Sequence, residues 1–271
     1  MSTNDREKLL NVVFYMSDQH RWDYMGAYGN KHIQTPNMDR FAETGIRFNH
    51  MFSPYPLCGP ARACYITGQY PQAHMARFNG LPVPINNPRL PRTLKENGYH
   101  TGIVGIIDLE PRKGKYHGYE RYEYKNGYDK WAREHGIDDP GKWQSPEKAH
   151  DYGSLDQPAE YHFSSWVAEK SMDIIEEWHD SDKPFFLRVG ERIPHPPYYA
   201  PSPYDKMYDP EEIPLDPAVN PEREDYQLLK EATAMYCGLV SLVDYNFGRI
   251  LNKIDELGLT ENTIVIYCSD H

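Results

Sequence analysis

The stretch LNVVFYMSDQH, Leu10 to His20, begins as an apolar run and ends on polar, chemically capable groups. Leu10 to Met16 is short, apolar and β-branched, which predicts a strand buried on both faces. The pattern returns at the other end of the chain, where NTIVIYC, Asn262 to Cys268, runs into Ser269-Asp270-His271. Thr101 to Ile107 and PFFLRVG, Pro184 to Gly190, read as two further buried strands. Helical signals lie between them: Asn37 to Gly45, Ala61 to Thr67 behind Pro60, Arg92 to Asn97, Phe163 to His179, and Asp225 to Leu257 with a break or bend expected near Gly248. Buried strands alternating with helices predict an α/β fold, a three-layer α/β/α sandwich around a mostly parallel central sheet. Ligands in such sheets gather at the carboxyl ends of the strands.

Residues 110–158, rich in Tyr, Gly, Lys and charge and without clear periodicity, read as a long surface insertion. Pro194 to Pro221 reads as a proline-rich loop. The expected organisation is one α/β domain over residues 1–271 and no second domain. A net charge of −11 argues against nucleic acid as the general partner, because phosphate backbones demand a basic footprint, although local basic groups could still hold a small anion. No apolar run approaches the ~20 residues of a membrane-crossing helix. The polar Met1 to Lys8 and the short apolar stretch after it do not make a signal peptide. A cytoplasmic protein with no membrane partner is expected. Four cysteines in 271 residues do not form a disulfide framework. Cys237, in a helical pattern, and Cys268, in a strand pattern, read as small buried hydrophobes.

Asp18, Asp270 and His271 sit at strand ends from opposite ends of the sequence. If their strands are neighbours, these oxygen and nitrogen donors converge on one point and suit Ca, Mg, Mn or Zn. A strand-end Asp also commonly caps the turn or helix that follows. Cys58 precedes a helix start, where a thiol is acidified and an anion is welcome, and Arg62 lies one turn along. An ordinary helix entry with a buried cysteine has the same spacing, which does not decide between the two. His20, His50, His74 and His100 read as packing or surface residues, and His117 and His135 as part of the solvated insertion.

CGPARACYITG, Cys58 to Gly68, resembles the sulfatase signature C-x-P-S/A-R-x-x-x-L/F-T-G, with Ala61 an accepted variant and Ile66 where Leu or Phe is commoner. NVVFYMSDQHRWDYMGAYGN resembles that family's opening strand and metal loop, and TPNMDRFAETGIRFNHMFSPYPLC the approach to its nucleophile. PFFLRVGERIPHPPYYAPSPY resembles its segment with a substrate-facing His, and LVSLVDYNFGRILNKIDELGLTENTIVIYCSDH its long helix and final metal strand. The resemblance implies an alkaline-phosphatase-like fold and a formylglycine made from Cys58, whose hydrated aldehyde supplies the nucleophile. Arg62 would hold its hydroxyls. Asp18, Asp270, His271 and modified Cys58 would bind one divalent cation, Ca first and Mn, Mg or Zn as alternatives. His195 would contact the ester or help the alcohol leave, and Gln19 and Asn79 would touch the anion. The implied partners are a small-molecule or saccharide sulfate ester and the formylglycine-generating enzyme.

Two departures stand out. The family's Gly-Lys-x-His element becomes GIID, with Ile106 for Lys and Asp108 for His, and Ile offers neither charge nor donor. Arg112 or Lys113 are the nearby substitutes. The family also continues past Asp-His into a C-terminal subdomain that is absent from this chain. The leading expectation is thus a metal-dependent sulfate ester hydrolase. The alternatives are a phosphonate monoester hydrolase or phosphodiesterase with the same nucleophile, or a catalytically inert, truncated sulfatase-like fragment that only binds anions.

Overall fold

The structure, a computed structural model, describes residues 9–138 and 151–271. Its strands are β1 (Asn11–Asp18), β2 (His100–Gly105), β3 (Arg121–Glu123), β4 (Tyr152–Leu155), β5 (Phe185–Pro194), β6 (Tyr198–Pro201) and β7 (Thr263–Ser269). Five of them form the central sheet in the order β3-β2-β5-β1-β7, and every pairing is parallel. β4 and β6 make a separate parallel pair. The α-helices are α1 (Pro36–Thr44), α2 (Cys58–Thr67), α3 (Pro71–His74), α4 (Leu90–Glu96), α5 (Gly114–His117), α6 (Lys125–Glu134), α7 (Phe163–Trp178) and α8 (Tyr226–Glu256).

The period-two alternation of a strand divides β1 between two cores. Val13 and Tyr15 join Phe185, Leu187 and Val189 of β5 under Trp166 and Ile174 of α7 and Leu239, Val243 and Phe247 of α8. Val12 and Phe14 face the other way, onto Phe186 of β5 and onto Ala63 and Ile66 of α2. A strand covered on both faces needs apolar residues at successive positions, which is why β1 and β5 read as continuous runs. Burying a side chain such as Phe247 completely is worth about 1.5–3 kcal/mol. No helix among the described residues is long and apolar enough to cross a membrane.

Register positions the chemistry. β1 and β7 are adjacent, with Ser17 opposite Ser269, so Asp18 and Asp270 leave the sheet side by side. β5 flanks β1 on the other side and pairs Pro194 with Asp18, which delivers His195 to the same rim.

Four expectations need correction. The described part of 110–158 is not a surface insertion: it supplies edge strand β3, and Tyr128, Ala132 and Leu155 are buried in the main core. His117 is fully buried, with Nε2 2.9 Å from the Pro111 carbonyl oxygen. The remainder, residues 139–150, lies outside the described residues. α8 runs unbroken through Gly248, which serves close packing, because a Cβ there would meet the Asn37 side chain at 2.4–2.7 Å. α2 begins at Cys58 rather than after Pro60, and the proline-rich loop contains β6.

Candidate active site

Arg62 organises the centre. It lies four residues, one helical turn, beyond Cys58 on α2, so both side chains share a face. Its guanidinium is fully buried; Nη2 donates to Asp18 Oδ2 at 3.0 Å and Nε to Asp270 Oδ2 at 2.9 Å. One oxygen of each carboxylate is thereby occupied, and the other turns toward His271 and Cys58. Asp18 Oδ1 lies 3.6 Å from Cys58 Sγ and 3.8 Å from His271 Nε2. Asp270 Oδ1 lies 3.8 Å from His271 Nε2 and accepts the Gln19 backbone N–H at 3.0 Å. Cys58 Sγ and His271 Nε2 are 3.3 Å apart. One ligand atom from each of Asp18, Cys58, Asp270 and His271 falls within 4.8 Å of the others.

These donors fit a divalent cation. Two buried carboxylates share a single guanidinium, and their inward oxygens converge with an imidazole nitrogen, a hard to borderline set. Burial pushes the Asp18 carboxyl up, opposed by Arg62 and reinforced by Asp270. Burial, then Asp18 and Asp270, push the Cys58 thiol up to about 12. Burial first, and the neighbouring carboxylates second, therefore keep Cys58 a neutral thiol, the opposite of the electropositive surroundings that make a cysteine nucleophilic.

The sulfatase family model matches residues 10–271. The chain belongs to the sulfatase family. It is 30% identical over 271 residues to an ulvan-active sulfatase of Formosa agariphila, covering 96% of this chain and 50% of that protein. It is 29% identical over 303 residues to an arylsulfatase of Clostridium perfringens, covering 96% of this chain and 62% of that protein. In fold it superposes on the phosphonate monoester hydrolase of Agrobacterium radiobacter with a TM-score of 0.81 at 23% identity, over 97% of this chain and 62% of that one. The chain thus spans half to three fifths of the length of these relatives. The alkaline-phosphatase-like sandwich expected from the motifs is the fold observed.

The remaining sulfatase-motif residues take distinct places. Asn79 is exposed, and its Oδ1 accepts the Gly59 N–H at 2.8 Å, satisfying an otherwise unpaired donor at the start of α2. A Cβ at Gly59 would sit 2.7 Å from that oxygen, so the tie requires glycine. Gln19 works through its backbone, in a left-handed conformation (φ 60°): beyond its N–H to Asp270, its carbonyl accepts from Tyr236 Oη at 3.1 Å. His195 Nδ1 lies 2.5 Å from the Pro196 carbonyl, which can only accept, so Nδ1 carries the proton and Nε2 the lone pair. Burial, aided by Arg192, lowers its pKa to about 4, and Asp270 and His271 lie close enough to influence it.

Ile106 packs against the apolar core, and Asp108 reaches to 3.8 Å from Arg62 Nη1. Of the substitutes expected for the missing lysine, Arg112 pairs with Glu110 at 3.1 Å and Lys113 is exposed. The cation that does reach the cluster is Arg192, whose Nη1 lies 3.4 Å from Asp18 Oδ2. Sequence reasoning missed it because the strand was ended at Gly190. Continued to Pro194, the alternation places Arg192 on the Phe186 face, the face of α2 and Arg62. Ser53 was missed as well; its Oγ donates to the Asp270 carbonyl at 2.6 Å, with no motif to announce it.

Proposed function

We propose that this chain carries the nucleophile and metal centre of a sulfate ester hydrolase. The observation that carries this reading is the division of labour at the two aspartates: Arg62 holds both Oδ2 atoms, leaving both Oδ1 atoms facing His271 and residue 58. Asp18, Asp270, His271 and residue 58 would hold one divalent cation, Ca2+ first among the hard ions. Such an ion polarises the sulfuryl oxygens and lowers the pKa of a bound hydroxyl. Conversion of Cys58 to formylglycine by a formylglycine-generating enzyme would replace an unreactive thiol with a hydrated aldehyde.

The chain's own groups orient this chemistry. Arg62 fixes both carboxylates and, through α2, the position of residue 58. Arg192, with 23% of its side chain exposed, is the partly open cation placed to face the ester anion. The His195 imidazole is neutral in the neutral range, and its Nε2 lone pair makes it a proton acceptor until a bound anion raises its pKa. A second reading, hydrolysis of phosphodiesters or phosphonate monoesters, is favoured by Ile106, which removes a charge and a donor from one wall. Both substrate classes are singly charged tetrahedral esters.

The test is co-expression with a formylglycine-generating enzyme, peptide mass analysis of residue 58, and parallel assays with aryl sulfate, aryl phosphodiester and aryl phosphonate. Conversion of Cys58 with aryl sulfate as the best substrate is expected. A sulfate ester that is the poorest of the three by a wide margin moves the assignment to the second reading. Conversion with no turnover of any ester leaves the inert, anion-binding reading.

A further inference from the structure

We propose that Asp108 is a charge-selecting residue, admitting tetrahedral esters with one negative charge and disfavouring dianions, including the inorganic sulfate that ester hydrolysis releases. This rests on the hydrolase reading above. Asp108 follows β2 in a left-handed conformation (φ 42°), which aspartate tolerates better than most residues, and its carboxylate lies within ion-pair distance of Arg62. Its side chain is 24% exposed, whereas those of Asp18, Asp270 and Arg62 are fully buried. It is the acid of this cluster that an arriving ligand can meet.

Its charge is not quenched by a hydrogen bond. Arg62 Nη1 is 3.8 Å from Asp108 Oδ2, and that buried nitrogen has no hydrogen-bond partner. Arg62 in turn holds Asp18 at 3.0 Å and shares a face of α2 with residue 58, so one guanidinium links Asp108 to the centre. Three carboxylates, Asp18, Asp108 and Asp270, face two guanidiniums, Arg62 and Arg192, which leaves the chain's contribution one charge negative. With a divalent cation the centre becomes singly positive, the complement of a monoanion. A dianion overshoots.

Hydrolysis of a sulfate ester changes the ligand's charge in that direction. The S–O bond to the alcohol breaks and a water oxygen bonds to sulfur. One water proton leaves on the alcohol and the other goes to solvent. The ester entered with one negative charge, and sulfate leaves with two. Asp108 therefore repels product more than substrate, which speeds release.

The test is Asp108→Asn in the Ca2+-loaded chain, with Asp108→Glu as the charge-restoring control. Asn matches Asp in shape and accepts left-handed backbone, so this variant keeps the fold. Inorganic sulfate binding is measured by calorimetry, and kcat/KM for an aryl phosphate monoester, a dianion above its second pKa of about 6, is compared with that for an aryl sulfate. Removing a partly exposed like charge should tighten sulfate binding about tenfold and raise the phosphate-to-sulfate ratio about tenfold. Asp108→Glu should return sulfate affinity toward wild type. Sulfate affinity unchanged or weaker in Asp108→Asn, or equally tight in Asp108→Glu, overturns the proposal whether or not any ester is turned over. Tighter sulfate binding in Asp108→Asn without ester turnover by the wild type upholds charge selection while the hydrolase reading fails.

Discussion

Two buried acidic clusters lie at the same end of the sheet, and they are built oppositely. Glu191, on β5, is fully buried and accepts from Tyr15 Oη at 2.9 Å and Ser164 Oγ at 2.8 Å, with Asn246 Nδ2 donating onward to Ser164 Oγ at 3.0 Å. These donors are neutral, and burial pushes the Glu191 carboxyl up to about 7. The Asp18–Asp270 pair is equally buried but shares a guanidinium, and the oxygens that Arg62 does not hold both lie 3.8 Å from His271 Nε2. Hydroxyls around one acid make a polar plug that locks β1 to α7. A guanidinium between two acids holds negative charge in place and leaves half of it available to a cation.

The largest expected consequence is at Arg62. Arg62→Met should strip Asp270 of its guanidinium, leave Asp18 only Arg192 at 3.4 Å, and cost about 3–5 kcal/mol, measured by urea denaturation at neutral pH; a loss under 1 kcal/mol would mean that the pair does not need the Arg62 charge. At Glu191 the effect is pH-dependent. Its folded pKa lies above the ordinary value of 4.5, so this group's contribution is fully present below that value and is lost as pH rises through about 7. The loss is at most about 3 kcal/mol. In denaturation from pH 5 to 8, Glu191→Gln should gain on the wild type as pH rises, and a flat difference would show that the glutamate ionises without penalty.

Cation binding gives the next effect. At a hundredfold excess over Kd, Ca2+ or Mn2+ should stabilise the chain by about 2.7 kcal/mol. Asp270→Asn should abolish that gain and Glu191→Gln should leave it intact, a contrast readable as a shift in melting temperature. The smallest effect belongs to Asn79→Ala, which removes the partner of Gly59 N–H at the start of α2 and should cost about 1 kcal/mol. A rise in KM without that loss of stability would give Asn79 a substrate role instead.

Legibility in the sequence followed burial. β1, β2 and β5 were readable because covered faces demand unbroken apolar runs; β7 was readable from its apolar run alone, since it is an edge strand with Ile264 and Ile266 exposed. β3, three residues of Arg121–Glu123 with two of them exposed, carries no such run. α6 is polar apart from Gly127, Tyr128, Trp131 and Ala132, and the last three side chains fall within a single turn, too little for a periodic signal. β4 and β6 are four residues each, the latter ending in proline. In the site, Asp18, Cys58, Arg62, Asp270 and His271 were legible because strand ends and a compact motif mark them. Arg192 and Asp108 were not: one lies beyond the apparent end of its strand, and the other was read as a missing histidine rather than as a charge with its own field. That Arg62 joins the two aspartates depends on the β1–β7 register, which no local pattern encodes.

The most direct measurement is anomalous diffraction from crystals of the chain grown with Mn2+. We expect one strong peak between Asp18 Oδ1, Asp270 Oδ1 and His271 Nε2, beside residue 58 and clear of the oxygens held by Arg62. Ordered side chains in the arrangement described here with no peak among them, while Mn2+ occupies other acidic groups on the surface, would contradict the account.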